Sequence, residues 1–451
     1  MLEINQIVPL SITNYLSDGS GMGRVDGQAV FVPYSAVGET LKIRISELRN
    51  GFARGQIESV EKSSPARIKP DCPVFTLCGG CAFRHITYEE ELKAKQQIVV
   101  DAFSHIGEMA GIPVLPVIPS LKQDGYRNNV QFLIRKNAEG ISDFGFNEEN
   151  SHEMVAADKC LLQSEDFSRI AESFCKLLDR YHISAFAENN QIGSVSGLII
   201  RKSHLNGKFL CCPIIDGKFI SHTDAIMTEL VGNFPEIESV FLGMNEQKKG
   251  YRAALRFEHF SGSEYLQDQI CGVPVQLDPV SFLQVNPFAA ETLYSEVKKM
   301  GNFQKNENVL DLYCGAGTIG LSLADCEIKL TGIEINRKSI ESARKAARLM
   351  GVSDARFLQG DAGSVSQQMI NESFNPDVVI MDPPRRGCDE KTLDAVIRMH
   401  PKRIVMVSCN PATAARDVAV LKKGGFEAIS IQPVDMFPRT KHVEMAVLMS
   451  C

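Results

Sequence analysis

The sequence predicts a multidomain protein with an N-terminal OB-like antiparallel β-barrel, a mixed α+β central domain and a C-terminal α/β Rossmann-like domain. The chain has 451 residues, which exceeds the size of one typical hydrophobic core. Short alternating apolar segments separated by glycines fill the first 62 residues, whereas strands that alternate with helices follow Ser281. These observations divide the chain into residues 1–62, 66–281 and 282–451.

Residues 1–62 are predicted to form the barrel. Four segments alternate apolar and polar residues, which is typical of strands with one buried face. These segments are Ile4–Ile12, Gly27–Pro33, Glu39–Ile45 and Arg54–Val60.

Residues 66–281 mix helical and strand patterns. Glu89–Met109 has the apolar spacing and the acidic start of a helix, and Gly111 and Pro113 follow it. Apolar runs predict strands of a mixed sheet at Gly197–Arg201, Lys208–Cys212 and Ser239–Leu242.

Residues 282–451 alternate strands with helices such as Arg337–Met350. The spacing predicts a parallel sheet with helices on both faces. Ligands of such sheets bind at the carboxyl ends of the strands, so residues that follow a strand are the first candidates for a site. The predicted strands are Val309–Leu312, Leu330–Ile335, Ala355–Leu358, Val378–Met381 and Ile404–Val407.

The net charge of −7 and the pI near 5.8 argue against a surface coated with basic residues, which is common in nucleic-acid-binding proteins. Local basic patches still allow RNA binding. The candidates are Arg44 with Arg49 and Arg54, Arg127 with Arg135 and Lys136, and Arg385 with Arg386. Because the sequence has neither a transmembrane-length apolar run nor a signal-peptide pattern, we expect a cytoplasmic protein without a membrane partner.

A Gly-x-Gly-x-x-Gly pattern at Gly315, Gly317 and Gly320 indicates a cofactor site. Such a turn brings bare backbone close to a ligand at the start of a helix. Glu334 ends the next strand and can accept hydrogen bonds from ribose hydroxyls, and Asp361 can reach an adenine amine. The pattern fits NAD as well as S-adenosylmethionine.

Two features favour S-adenosylmethionine. Asp311 precedes the glycines at the end of a strand, where the pyrophosphate of a dinucleotide would gain little from a carboxylate. Asp382 begins the loop Asp382–Arg385, whose two prolines can hold acceptors rigidly beside a planar base and have no evident use in hydride transfer. An NAD-dependent oxidoreductase remains an alternative.

Cys409 follows the strand Ile404–Val407 and is placed to act as a nucleophile. A thiolate can add to carbon 6 of uracil, which activates carbon 5 for methylation, and it can leave later by elimination. Glu444 is the candidate base that removes the carbon 5 proton. A cytosine-5 methyltransferase would instead need a second catalytic cysteine, for which Cys388 is the candidate.

Taken as a set, the motifs resemble the bacterial RNA uracil-5 methyltransferase family, which includes 23S ribosomal RNA enzymes with an iron–sulfur cluster and a transfer RNA relative. The resemblance covers the barrel, which is similar to a TRAM domain, the cysteine segment, and Phe282–Asn286, Asp311–Gly317, Asp382–Arg385, Ser408–Pro411 and His442–Glu444. It implies that Cys409 is the nucleophile and Glu444 the base. It implies an S-adenosylmethionine site at Gln284, Tyr313, Glu334 and Asp382, beside Gly315, Gly317 and Asp361 from the pattern above.

Cys72, Cys78 and Cys81 place three of the 13 cysteines in one short segment, and Cys160 is the best candidate for a fourth ligand. Four thiolates can hold zinc or an iron–sulfur cluster. The gap between Cys72 and Cys78 is longer than in ordinary zinc sites, and the resemblance agrees in favouring a [4Fe-4S] cluster. We expect a structural or RNA-positioning role, because methyl transfer needs no electron.

The resemblance also bears on the partner and the arrangement of the domains. It favours 23S ribosomal RNA as the substrate, with transfer RNA as the alternative. It further suggests that residues 83–115 pack on the catalytic domain, residues 282–451, although they precede most of the central region. We expect the enzyme to act as a monomer.

Overall fold

A computed structural model describes residues 2–109, 111–186, 193–216, 220–245 and 255–451. Within these ranges the chain forms one six-stranded sheet, two seven-stranded sheets and one two-stranded sheet. The same ranges contain no helix with the length and apolar composition needed to cross a bilayer.

The N-terminal sheet has six strands: β1 (Ile7–Ser11), β2 (Asn14–Tyr15), β3 (Gly21–Val25), β4 (Gln28–Val32), β5 (Thr40–Arg49) and β6 (Phe52–Lys62). Alternate side chains point into its core, as Leu41, Ile43 and Ile45 of β5 do. The strand order is β1-β5-β6-β4-β3-β2. The OB-like barrel is therefore confirmed, although it is not purely antiparallel, because β4 and β6 pair in parallel.

Helix α1 (Tyr88–Asp101) follows the barrel. The Thr87 side chain caps the helix by accepting a hydrogen bond from the Glu90 amide at 3.4 Å. Three glutamates in the first turn stabilise the helix, because their negative charges lie at the positive end of the helix dipole. The predicted helix to Met109 is too long, because α1 ends at Asp101 and a π-helical segment, Ala102–Ile106, follows it.

The central domain is a mixed sheet covered by two helices, as predicted. Its order is β13-β12-β11-β10-β7-β8-β9, and among the described strands β11 and β12 form its parallel pair. The elements are β7 (Asn129–Lys136), β8 (Ser142–Asn147), β9 (Met154–Ala156), α2 (Glu165–Arg180), β10 (Val195–Lys202), β11 (Phe209–Asp216), α3 (Thr223–Asn233), β12 (Ile237–Asn245) and β13 (Leu255–Gly262). A hairpin follows, formed by β14 (Leu266–Ile270) and β15 (Val273–Leu277).

The C-terminal domain has the predicted Rossmann-like alternation of strands and helices. Its elements are α4 (Pro287–Gly301), β16 (Asn308–Leu312), α5 (Thr318–Leu321), β17 (Lys329–Glu334), α6 (Arg337–Leu349), β18 (Ala355–Gln359), α7 (Ala362–Asn371), β19 (Val378–Met381), α8 (Glu390–Met399), β20 (Arg403–Ser408), α9 (Pro411–Lys423), β21 (Glu427–Val434) and β22 (Glu444–Ser450).

The sheet order is β18-β17-β16-β19-β20-β22-β21. The pairs from β18 to β20 are parallel, but β22 runs antiparallel to both of its neighbours, so the expectation of a wholly parallel sheet is wrong. The chain continues from β16 towards β18 and returns through β19 on the other side of β16. This reversal of strand order opens a crevice at the carboxyl ends of β16 and β19.

Residues before the central domain pack on the C-terminal domain. Val99, Ala102 and Phe103 belong to the same hydrophobic core as residues of α9. The segment 114–118 continues the C-terminal sheet beyond β21, since the Leu115 amide donates to the Ile431 carbonyl at 2.9 Å. An edge strand covered in this way cannot pair with another chain.

Candidate active site

Asp311 lies within β16, close to its carboxyl end, and is fully buried. Its Oδ2 accepts a hydrogen bond from the Gly320 amide at 3.1 Å, whereas its buried Oδ1 has no partner among the described residues. Burial raises the pKa of Asp311 to about 8, and the nearby carboxylates of Asp382 and Glu334 add to this effect. A buried oxygen without a partner is suited to bind a hydrogen-bond donor of a ligand.

The turn after β16 has the strained backbone expected of a ligand-binding loop. Tyr313, Gly315 and Gly317 have φ values of 63°, 55° and 74°, in the left-handed region. At Gly320 a Cβ atom would lie 2.8 Å from the Asp311 carboxylate, so only glycine fits there. The turn opens α5, which has only four residues and is therefore shorter than the sequence pattern suggests.

Glu334 lies beside this turn at the carboxyl end of β17. Its Oε2 accepts a hydrogen bond from the Gly315 amide at 3.3 Å, and its Oε1 accepts one from the Asn336 amide at 2.7 Å.

Asp361 has a local role that the sequence did not reveal, because it caps α7. Its Oδ1 accepts a hydrogen bond from the Ser364 amide at 2.9 Å and another from the Ser364 hydroxyl. The hydroxyl and the amide both lower the pKa of Asp361.

Two of the other predicted cofactor residues, Asp382 and Tyr313, follow the strands β19 and β16 that border the crevice. Asp382 follows β19, where its amide donates to the Leu312 carbonyl at 3.3 Å and burial raises its pKa to about 7. The Tyr313 hydroxyl donates a hydrogen bond to the Thr392 hydroxyl of α8 at 3.2 Å. Gln284 is buried, and its backbone carbonyl accepts a hydrogen bond from the Asn128 side-chain amide at 3.1 Å.

Cys409 and Glu444 come together through the pairing of β20 with β22. Ser408 pairs with Met445, so Cys409 directly follows β20 where Glu444 begins β22. Glu444 thus reaches the catalytic edge at the start of an antiparallel strand rather than at the end of a parallel one. Cys409 is partly exposed, whereas Glu444 is buried.

Glu444 acts electrostatically on the Cys409 thiol. Burial, then Glu444 and Asp382, raise the pKa of the Cys409 thiol to about 11, while Arg385 acts in the opposite direction. Burial and Asp382 also raise the pKa of Glu444 well above its usual range. A carboxylate with a raised pKa is a stronger base, which suits proton abstraction.

Asn410 fixes Arg385 beside the thiol. The Asn410 side chain caps α9 and donates to the Arg385 carbonyl at 3.0 Å, and the Thr413 hydroxyl donates to the same carbonyl at 3.3 Å. The loop after β19 is thereby tied to the loop after β20. The sequence assigned Arg385 to an RNA-binding patch and gave no sign of its effect on Cys409.

Cys388 lies in the hydrophobic core of the C-terminal domain and is buried. Its amide donates to Asp417 at 2.7 Å, and burial raises the pKa of its thiol above the usual range. These surroundings fit a small buried side chain. They give no support to Cys388 as the second catalytic cysteine of a cytosine-5 enzyme.

The four cysteines predicted as metal ligands line one cavity of about 590 Å³. None of them is in a disulfide, and burial raises the pKa values of Cys78, Cys81 and Cys160. In the described part of the chain, no three Cys, His, Asp or Glu side chains form a group that could hold a metal ion. Four thiolates around one tetrahedral zinc ion, with Zn–S bonds of about 2.3 Å, would lie about 3.8 Å from one another. A cluster of several metal atoms is larger and would hold its thiolates farther apart.

The cavity also contains buried polar side chains that the sequence did not single out. Arg84 is almost completely buried; it donates to Asp71 at 2.9 Å and to Asp124 at 2.5 Å, and it lowers the pKa of the Cys81 thiol against the effect of burial. Arg127, which the sequence assigned to an RNA-binding patch, lines the cavity as well. In the sequence, the position of Arg84 three residues after Cys81 could have indicated that it lies near the cysteines.

Carboxylates neutralise much of the predicted basic surface. Arg44 pairs with Glu58 at 2.6 Å, and Lys136 pairs with Asp179 at 2.7 Å. Arg385 and its neighbour Arg386 are exposed beside the candidate active site. The acidic net charge and the local basic surface near Cys409 are therefore compatible.

Comparisons with known proteins identify two family matches in the chain. Residues 275–451 match the family model of the tRNA (uracil-5-)-methyltransferases, and residues 2–57 match the TRAM domain model.

An uncharacterized RNA methyltransferase of Bacillus cereus is 35% identical over 449 residues, which cover 100% of this chain and 97% of that protein. One of Halalkalibacterium halodurans is 33% identical, with 99% and 97% covered. A solved structure, the Pyrococcus abyssi tRNA (uracil-54, C5)-methyltransferase in complex with S-adenosyl-L-homocysteine, has a TM-score of 0.78 at 25% identity and covers 98% of this chain and 100% of its own.

The Arg385 charge should control the reactivity of Cys409. Replacing Arg385 with glutamine removes a charge that lowers the thiol pKa, so the thiolate fraction at a given pH falls. We expect alkylation of Cys409 by iodoacetamide to slow about tenfold near neutral pH and to recover at alkaline pH. Mass spectrometry of the Cys409 peptide measures the rate. Arg386→Gln is the matched control, and equal rates in both variants would contradict this electrostatic role.

Proposed function

The chain belongs to the S-adenosylmethionine-dependent RNA uracil-5 methyltransferase family, and from this premise we propose that it methylates a uridine of 23S ribosomal RNA through a covalent bond between Cys409 and carbon 6. The observation that carries the proposal is the register of β20 and β22, which sets Glu444 beside the Cys409 thiol. Their separate roles in the reaction require this proximity.

The residues at the crevice fit S-adenosylmethionine. Asp311 has a buried oxygen without a partner in the described chain, and the glycine turn leaves space for a ligand at Gly315. Glu334 would bind the ribose hydroxyls and Asp361 the adenine amine. Bound S-adenosylmethionine supplies an electrophilic methyl group on a sulfonium.

Gln284, Tyr313, Gly317 and Asp382 complete the proposed cofactor site. The carboxyl groups of Asp382 and Glu334 add to the effect of burial on the pKa of Asp311, so three acidic side chains lie close together, which suits a cationic ligand. An NAD-dependent oxidoreductase, the earlier alternative, lacks support from the family to which the chain belongs.

The protein side of the reaction uses two groups. The Cys409 sulfur forms a bond to carbon 6, and the electron pair of the ring double bond moves towards carbon 5, which becomes nucleophilic. After carbon 5 has gained the methyl group, Glu444 accepts its proton. The resulting electron pair restores the double bond as the carbon–sulfur bond breaks, which returns Cys409.

We further propose that Cys72, Cys78, Cys81 and Cys160 hold a [4Fe-4S] cluster. The fit rests on four free thiols around one cavity. Arg84 would offset part of the negative charge that thiolate ligands bring. The cluster would hold the segment around Cys81 or position RNA.

The cytoplasmic location and the monomeric state remain predictions.

The covalent step has a direct test. Cys409→Ala should abolish methylation and leave RNA binding unchanged, because no other described group replaces the thiolate. Wild-type protein should form a denaturation-resistant adduct with RNA that contains 5-fluorouridine, which has no carbon 5 proton to remove. Cys451→Ala, at an exposed cysteine, is the control. Methylation by Cys409→Ala would refute the mechanism.

The target RNA is tested by mapping 5-methyluridine in a strain that lacks the gene. We expect one or more positions of 23S ribosomal RNA to lose the modification and to regain it with wild-type protein but not with Cys409→Ala. Loss from transfer RNA alone would replace the ribosomal assignment by the alternative, transfer RNA, on which the Pyrococcus abyssi enzyme acts according to its name.

The cluster predicts iron and sulfide in anaerobically purified protein. Cys160→Ala should lose most of the iron, measured by elemental analysis together with the cluster absorption. Cys175→Ala is the matched control, because Cys175 is a buried cysteine of α2 outside this cavity. Stoichiometric zinc in place of iron, or no metal at all, would contradict the cluster.

A further inference from the structure

The loop 435–443, which joins β21 to β22, is held by four distant parts of the chain. Four successive carbonyls, of Met436, Phe437, Pro438 and Arg439, each accept a hydrogen bond from a different region. The donors are Asn286 Nδ2 at 3.0 Å, Lys95 Nζ at 3.1 Å, the Tyr126 hydroxyl at 3.1 Å, and the Ala82 and Phe83 amides at 2.8 and 3.1 Å. Glu444 follows this loop immediately.

Lys95 is the centre of these contacts. Its side chain is fully buried, and its ammonium donates to Glu91 at 2.7 Å and to Asp435 at 2.6 Å, two carboxylates that are also fully buried. Burial alone would lower the pKa of Lys95, but the two carboxylates raise it above the usual range. The ammonium therefore stays charged.

Glu91 connects the same helix to the far end of the loop. It accepts a hydrogen bond from the Arg439 amide at 2.7 Å and lies 3.6 Å from the Arg439 guanidinium. Arg439 has a φ of 68°, which a non-glycine residue rarely adopts and which the surrounding bonds must maintain. The two cations and the carboxylates of Glu91 and Asp435 form a buried group that is neutral overall.

We propose that Lys95 is a positioning residue for Glu444. Without the Lys95 ammonium, the Phe437 carbonyl loses that donor, and among the described residues the two buried carboxylates keep only the Arg439 guanidinium as a nearby cation, so we expect the loop to shift. Such a movement would displace Glu444, because Glu444 is the first residue of β22 and directly follows the loop. This inference rests on the proposed function, because it assumes that Glu444 removes the carbon 5 proton.

The effect should be confined to one step of the reaction. Cys409 is held by β20 and by the bond from Asn410 to Arg385, and neither involves Lys95. Attack on carbon 6 should therefore proceed normally. Only the later loss of the carbon 5 proton depends on where the loop places Glu444.

The test is Lys95→Met, which removes the charge and retains much of the side-chain volume. With uridine-containing RNA we expect kcat to fall about 100-fold, the effect of a displacement near 1 Å, and KM to fall with it, because the slowed step follows methyl transfer and kcat/KM is therefore unchanged. The covalent protein–RNA complex should accumulate on denaturing gels, because its resolution is slow. With 5-fluorouridine RNA, the rate of adduct formation should match the wild-type rate.

Lys176→Met is the matched control. Lys176 forms the same kind of (i, i+4) pair, with Glu172 at 2.5 Å, but on the exposed surface of α2. It should show wild-type kinetics with both RNAs. If Lys95→Met instead slows both adduct formation and turnover equally, or leaves both unchanged, the positioning role is wrong.

Tyr126→Phe provides a milder variant if Lys95→Met does not fold. It removes one hydroxyl that holds the Pro438 carbonyl and no charge. Accumulation of the covalent complex without a change in the adduct rate would support the inference, and proportional loss of both would overturn it. If wild-type protein forms no 5-fluorouridine adduct, the proposed mechanism itself fails, and the inference fails with it.

Discussion

The proposed active site depends on the register between β20 and β22. Their six residue pairs end with Ser408 opposite Met445, so Cys409 and Glu444 are the next residues at the same edge of the sheet. A shift of one residue would turn the Glu444 side chain to the opposite face of the sheet. The register is well specified, because alternate residues of both strands pack into the two different hydrophobic cores that lie on the two faces.

The same edge concentrates negative charge. Asp311, Asp382 and Glu444 are carboxyl groups in surroundings that raise the pKa of each one, and Arg385 is the cation that acts on Glu444 and Cys409. Such an arrangement opposes folding unless protons or a cation compensate it. The proposed reaction has a use for this excess, because its site would bind a cationic sulfonium and later accept a proton.

The parallel strands and the residues after them were predictable from the sequence, because their apolar runs are short, continuous and bounded by glycine or proline. Predicted and observed limits of β16, β18 and β19 agree to within one residue. Such a signal is missing for β21, because this strand contains a proline and mixes polar with apolar residues. The antiparallel insertion of β22, and with it the route by which Glu444 reaches Cys409, became visible only in the structure.

Lys95 shows why local patterns fail for buried charges. In the sequence it belongs to a charged helix face, which is usually solvated, and its partner Asp435 lies 340 residues away. The first part of the chain therefore completes the catalytic domain: segment 114–118 covers the sheet edge, α1 fills its core, and Lys95 neutralises its buried carboxylates. The amides next to Cys81 bind the Arg439 carbonyl, which places the cysteine segment in contact with the loop that leads to Glu444. These two hydrogen bonds connect the cysteine segment to the loop that precedes Glu444, and this connection needs no electron transfer.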